Sequence, residues 1–285
     1  MTHTTADRHP ILVTGGTGKT GSRVVTRLRA AGRPVRIGSR AAEIPFDWAD
    51  RGTWPAALSG VRTVYLAFQP DLAVPGAPEV IRAFTAAAAH AGVRKLVLLS
   101  GRGEPEAARC ERIVRESGLN WTVVRCSFFA QNFSEGAFAD HLVAGELALP
   151  NGHVPEPFVH ADDVADVAVA ALTSDRHDGE SYELTGPRSV TFGEAVAEIA
   201  AATGRPIAFV PISRTAFVAG LTESAVPADL VGLLDYLFGA VLDGRNAEPA
   251  DGVHRALGRS PKDFADFVME TAITGIWNAP AARNV

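Results

Sequence analysis

The chain has 285 residues, 47% hydrophobic and 21% charged, which suits one large α/β domain or a core with a smaller appendage and excludes disorder. A formal net charge of -5 supplies no basic surface for nucleic acid or an anionic membrane. No apolar signal core stands near MTHTTADRH and no run approaches the ~18 apolar residues that span a bilayer, so a cytoplasmic protein is expected.

In chain order, Ile11 to Thr14 reads as a strand, and Ser22 to Ala31 as a helix with Val24, Val25 and Leu28 on one face. Pro34 to Ile37 is a second strand, and Val64 to Phe68 a fourth if the short stretch near Ile44 to Phe46 is the third. An alanine-rich helix over Glu79 to Ala91 is closed by Gly92. The run KLVLLS, Lys95 to Ser100, has the continuous apolar character of a strand buried on both faces. A helix over Glu106 to Ser117 and a strand over Trp121 to Cys126 follow. This alternation predicts a Rossmann-type, doubly wound parallel sheet. Past residue 135, Pro150, Pro155, Pro157 and Pro187 shorten the pieces. Helices are expected over Asp162 to Leu172, Phe192 to Ala202, Asp229 to Leu242 and Pro261 to Ala272, with a strand at Ser181 to Leu184. The division predicted is residues 1–150 as a nucleotide-binding domain and 151–285 as a smaller α/β substrate-covering domain, with helix 161–173 packing back on the first. The two cysteines, Cys110 and Cys126, fall on a helix and a strand end, unlike a disulfide-stapled secreted domain.

The stretch VTGGTGKTGSR, residues 13–23, mixes two phosphate-binding patterns. Gly18-Lys19-Thr20 imitates the end of a nucleoside-triphosphate loop, but that loop requires a glycine at position 13, where a valine stands inside the strand. Gly15, Gly18 and Gly21 instead lie between a strand and a helix, the order a dinucleotide site needs. The first glycine permits the turn, the second lets backbone approach a pyrophosphate, and the third lets helix pack on strand. An NAD-selective site places an acid about 20 residues onward, yet none occurs between Asp7 and Glu43. Ser39 and Arg40 stand there, and an arginine fork suits a 2′-phosphate, so NADP(H) is the expected cofactor.

These segments, with AGVRKLVLLSG (91–101), SGLNWTVVR (117–125), PFVHADDVADVA (157–168) and YELTGPRSVTFGEAVAEIAAATGR (182–205), resemble the NmrA-like, atypical branch of the short-chain dehydrogenase/reductase superfamily. The resemblance implies that Thr14, Gly15, Gly16, Thr17, Gly18, Lys19, Thr20 and Gly21 hold the pyrophosphate, and Ser39 and Arg40 the 2′-phosphate. It puts Asp47 near the adenine, Ala67, Phe68 and Gln69 beside the ribose, and Ser100 and Gly101 below the nicotinamide. Cys126 to Phe129 follow, where relatives often have a proline that this chain lacks.

The superfamily's usual acid is a Tyr-x-x-x-Lys pair. The residues four places after Tyr65, Tyr182 and Tyr236 are Gln69, Gly186 and Ala240, so the pair is absent. Hydride transfer to a quinone or a hydroxy-flanked aromatic ketone tolerates that loss, because such acceptors delocalise the incoming charge or carry a proton. The function expected is NADPH-dependent reduction of a bulky aromatic carbonyl or quinone, such as a polyketide ketone, with the proton taken from substrate or water. Ser100 and His160 are the candidate polar groups in catalysis, and Phe128, Phe129, Gln131 and Asn132 the candidate substrate lining. The alternative is a non-catalytic NADP-binding redox sensor; a sugar-nucleotide epimerase would keep the tyrosine and lysine. No HExxH, Cys/His cluster or GxSxG occurs, so neither a metal nor a hydrolase elbow is expected. A small aromatic substrate and a monomer or homodimer complete the expectations.

Overall fold

A computed structural model describes residues 9–278. The chain opens with β1 (Ile11–Thr14), α1 (Lys19–Ala30), β2 (Val35–Gly38), α2 (Trp54–Leu58) and β3 (Thr63–Leu66). It continues through α3 (Ala77–His90), β4 (Lys95–Gly101), α4 (Pro105–Arg115), β5 (Asn120–Cys126), α5 (Ala137–Ala144), β6 (Glu146–Leu149), α6 (Ala161–Thr173) and β7 (Glu180–Leu184). The last elements are α7 (Phe192–Thr203), β8 (Ala208–Pro211), α8 (Arg214–Glu223), α9 (Ala228–Tyr236), α10 (Gly252–Leu257) and α11 (Phe264–Ala272). None of the described helices is long and apolar enough to cross a membrane.

Two units form. The first holds the chain up to Cys126 together with Ala161–Leu184 and Asp251–Arg259. The second holds Ser127–His160, Thr185–Ala250 and the chain from Ser260. The division thus differs from the single boundary expected at 150. The physical reason is the sheet edge: β7 pairs along β5, Thr122 opposite Glu180 to Cys126 opposite Leu184, and draws its neighbours α6 and α10 into the first unit.

The first unit is a six-stranded parallel sheet in the order β2-β1-β3-β4-β5-β7. Its central strands are apolar on both faces because helices cover both, with Val64, Leu66, Leu96 and Leu98 buried under α3 and α4. On the other face α1 and α6 are joined by ion pairs: Arg23 to Asp162 at 3.1 Å, and Arg27 to Asp162 at 3.0 Å and Asp166 at 2.6 Å. The strand order reverses between β1 and β3, so a crevice opens at the carboxyl ends of these two strands, the place where such sheets hold ligands.

The expected strand at Ile44 to Phe46 does not exist. Pro45 donates no ladder hydrogen bond, and the chain turns here, with Phe46 N–H bonded to Ser39 O at 3.0 Å. Phe46 packs edge-on against Trp48 and Phe84, rings 4.9 and 5.8 Å apart, in a cluster completed by Trp54 and Phe68.

The second unit has a two-stranded parallel sheet, β6 with β8, and a core of phenylalanines. Phe133 lies 5.3 Å from Phe158, 5.8 Å from Phe192 and 5.4 Å from Phe264. Helix α7 begins in a capping box, Thr191 with Glu194, and ends at the left-handed Gly204. Arg188 ties it to the start of α11 through Glu198 and Asp263, each at 2.9 Å. Two helix expectations shift. The helix expected from Pro261 starts at Phe264, because the Asp263 carboxylate caps it by accepting from Ala265 N. The helix expected over Asp229 to Leu242 is α9 to Tyr236 and then a wider π turn over Leu237–Val241.

Candidate active site

The glycine loop joins β1 to α1, and its backbone accounts for its composition. Gly15 has φ of +62°, a conformation that disfavours a side chain. A Cβ on Gly16 would lie 2.9 Å from Val13 O and 3.0 Å from Ile37 Cγ2, and one on Gly21 would lie 2.1 Å from Gly15 O. Gly21 therefore performs the helix-on-turn packing expected of it. At Gly18 the closest approach is a milder 3.3 Å, to Gly15 O. Gly18 caps α1 without a side-chain cap, the first turn holds no acid, and Thr17 is exposed. A positive helix end left without capping carboxylate or hydroxyl fits a diphosphate, and Gly15 to Gly21 are the residues that would hold it.

Not every residue of the stretch offers its side chain. Thr14 is fully buried; its Oγ1 accepts from Ala67 N at 2.8 Å and donates to a carbonyl of β3's end, Tyr65 O at 3.1 Å or Ala67 O at 3.2 Å. Thr20 Oγ1 faces the core and accepts from Tyr65 Oη at 3.0 Å. These two threonines fasten the loop to β3. Lys19 sits at the start of α1, half-buried, its carbonyl accepting from Arg23 Nη1 at 2.8 Å.

Past β2 the two arginines part company. Arg36 spends its guanidinium on the carbonyls that end α2, with Nη1 donating to Ala57 O at 2.8 Å and Ser59 O at 2.6 Å. Arg40 is exposed and makes no hydrogen bond or ion pair among the described residues, which suits a 2′-phosphate. Beside it the Ser39 hydroxyl accepts only a long bond from Ala41 N, 3.3 Å. Asp47 closes a turn by accepting from Ala49 N at 3.0 Å, while Trp48 Nε1 donates to Ala67 O at 3.1 Å. Phe68 is partly exposed and Gln69 exposed, followed by a cis bond to Pro70. The loop, Ser39–Arg40, Asp47 and the end of β3 thus belong to one unit and surround the carboxyl edge of β1 to β3.

At the end of β4 the outcome differs from expectation. Ser100 is 4% exposed, and its Oγ donates to Glu111 Oε1 at 2.8 Å. Glu111, 1% exposed, also receives Arg125 Nη2 at 2.6 Å and Arg115 Nη2 at 3.1 Å. Ser100 has its proton committed to a buried carboxylate, so it serves packing rather than a substrate oxygen. Nor does a phenol replace the missing acid from the core: Tyr65 gives its hydroxyl to Thr20 and burial pushes its pKa up, and Tyr182 Oη bonds His177 Nδ1 at 2.9 Å. Cys126 is buried with its thiol pKa pushed up by burial, and Cys110 is raised to about 12 for the same reason.

The remaining candidates lie in the second unit. His160 is 4% exposed, with Nε2 3.0 Å from Gln131 Nε2 and 3.9 Å from Glu270 Oε2. Gln131 is buried, Asn132 partly buried. Phe128 joins the aromatic core, 5.8 Å from Phe238, and the Phe129 segment pairs with Val159. Sequence reasoning passed over two carboxyls, Asp71 and Glu104, that meet beyond the ends of β3 and β4 in the first unit. Their only sequence signal is position, just past an apolar strand.

The family model for NAD(P)H-binding proteins matches residues 15–175. The chain is 33% identical to an NAD(P)H azoreductase of Xenophilus azovorans, over 92% of this chain and 98% of that protein. It is 35% identical to the (4-alkanoyl-5-oxo-2,5-dihydrofuran-3-yl)methyl phosphate reductase of Streptomyces griseus, over 92% and 98%. Among solved structures it resembles the NADPH-dependent quinone oxidoreductase of Escherichia coli, with a TM-score of 0.75, 21% identity, and 91% and 99% of the two chains covered.

Proposed function

The chain belongs to the NAD(P)H-binding, NmrA-like atypical branch of the short-chain dehydrogenases/reductases and is an NADPH-dependent oxidoreductase, and we propose that its acceptor is a bulky aromatic carbonyl or quinone. The observation that carries the proposal is an intact phosphate cradle in a chain whose tyrosines lack a following lysine and whose core phenols, Tyr65 and Tyr182, are committed elsewhere. An acceptor that delocalises charge asks least of a site without that acid. Relatives named for an azo compound and for an oxo-dihydrofuran phosphate support acceptors of this electronic kind. Kinship with reductases displaces the reading as a silent NADP sensor.

Bound NADPH supplies hydride at its nicotinamide C4. The chain's own part is to hold the diphosphate on the Gly15–Gly21 backbone, to meet the 2′-phosphate with Ser39 and Arg40, and to set the ring against the ends of the central strands. Gly101 and Ser100 leave that strand end without a large side chain of their own.

Stopped-flow loss of NADPH absorbance tests the acceptor class. Quinones and hydroxy-flanked aromatic ketones are expected to turn over, with NADPH preferred to NADH. Reduction of azo compounds alone, with no consumption across those two classes, would overturn the assignment.

A further inference from the structure

Two carboxyl groups meet at the carboxyl edge of the sheet, the edge where the glycine loop leaves β1. β3 and β4 are neighbours, with Leu66 opposite Leu98; Asp71 follows the first strand and Glu104 the second. Their side chains hydrogen-bond each other. Asp71 is pinned by accepting from Ala73 N at 2.8 Å. Glu104 Oε2 is shut from solvent and has no donor among the described residues. The Glu104 carboxyl lies on Gly101, filling the space where a Cβ would stand only 2.1 Å from Oε1, so the glycine expected below the nicotinamide is covered by this acid.

Carboxylates are acceptors only, so two in contact, one with an orphaned buried oxygen, require a proton between them. Burial first, then Asp71 and Glu111, raises Glu104 to about 8, and burial raises Asp71 as well. Of the groups that face the pair, Glu111 on α4 is negative and deepens the effect on Glu104, while the Cys110 and Cys126 thiols are held neutral and do not oppose it. No cation is among the causes of either shift.

We propose that Glu104, sharing a proton with Asp71, is the acid that replaces the missing tyrosine. This rests on the reductase reading above. The acceptor carbon gains a hydride with its electron pair from nicotinamide C4, whose C–H bond breaks. The carbonyl π pair moves to oxygen, the Glu104 O–H bond breaks, and that proton completes the alcohol. Glu104 is left a carboxylate beside Asp71, an arrangement that takes a proton back from water.

The test combines a readout that needs no turnover with a pair of acceptors. In the cofactor-free protein, difference infrared spectroscopy should show a protonated carboxyl at neutral pH that titrates with a midpoint of about 8. Glu104→Gln should lack that band, and Asp71→Asn should move its midpoint down toward the ordinary carboxylate range. An aromatic ketone takes hydride plus a proton, whereas a cationic triarylmethane dye takes hydride alone. In Glu104→Gln the ketone-to-dye rate ratio should fall by about 100-fold, the usual scale of general-acid catalysis. The alkaline limb of the ketone profile should disappear with it. A band that does not titrate, or an unchanged ratio in a variant that still binds NADPH, overturns the assignment of the acid. Failure of the wild type on both acceptors, with the band titrating, would instead defeat the reductase reading, and the donor role with it.

Discussion

At the scale of single residues, Gly21 and Arg40 are where the proposed cofactor site is most directly tested. At Gly21 a methyl group would meet Gly15 O at 2.1 Å and Gly15 C at 2.7 Å, rigid backbone that cannot step aside. Gly21→Ala is expected to push α1 off the turn, cost about 1–3 kcal/mol of stability and weaken NADPH binding at least tenfold, read by calorimetry and fluorescence titration. Arg40 is exposed and makes no hydrogen bond or ion pair among the described residues, so its removal should leave the fold alone. Arg40→Ala should cost about 1.5–3 kcal/mol in NADPH binding, roughly 10- to 100-fold, with NADH affinity unchanged. Equal losses for both cofactors would remove the 2′-phosphate role. The Gly21 packing was legible because its requirement is local, a close approach to the backbone of the preceding turn. Thr14, Thr20 and Ser100 were not, since a hydroxyl's partner, here Ala67, Tyr65 or Glu111, comes from another strand or helix.

At the scale of elements, one buried carboxylate joins three of them. Glu111 on α4 receives Ser100 from β4 and Arg125 from β5, and Arg125 reaches on to Glu183 of β7 at 2.5 Å. Burial pushes the Glu111 pKa up, but hydrogen bonds from Arg125 and Ser100 and the charges of Arg125 and Arg115 outweigh it and hold the group below the usual range. Its stabilising share is therefore present above the ordinary glutamate pKa and is lost as pH falls through the lowered one. Glu111→Gln should cost about 3 kcal/mol, because Arg125 loses the buried one of its two carboxylate partners, and should flatten the acid side of a pH–stability curve measured by urea unfolding. Periodicity exposed the helix that carries Glu111, though not the reach of its side chain. The failed strand at 44–46 has the converse cause: three apolar letters satisfied a strand pattern, but Phe46 and its neighbours were claimed by an aromatic cluster with Trp54 and Phe84.

For the whole molecule, proton and cofactor linkage give the most direct checks. Glu104, raised to about 8 when folded, contributes stability that is complete below its ordinary value and is lost as pH rises through about 8. Thermal midpoints should thus decline between about pH 5 and pH 9, a slope opposite to that of Glu111, and Glu104→Gln should reduce the decline. NADPH at a hundred times its Kd should add about 2.7 kcal/mol to the stability of the unit that binds it, visible as a raised midpoint.

The amino-acid sequence alone determined the parallel sheet, the glycine turn between its first strand and helix, the NAD(P)H-binding class and the absence of the tyrosine–lysine pair, because each depends on neighbours within a few residues or on spacing along one element. Tertiary structure decided what depends on distant segments meeting. It returned β7 and α10 to the first unit, since an open strand edge takes whichever strand completes its ladder. It also turned Ser100 into a buried support for Glu111, and it set Asp71 from one strand end against Glu104 from the next. The proton proposed to lie between Asp71 and Glu104 depends on burial and on a second carboxyl from another strand end, and no single stretch of letters contains both.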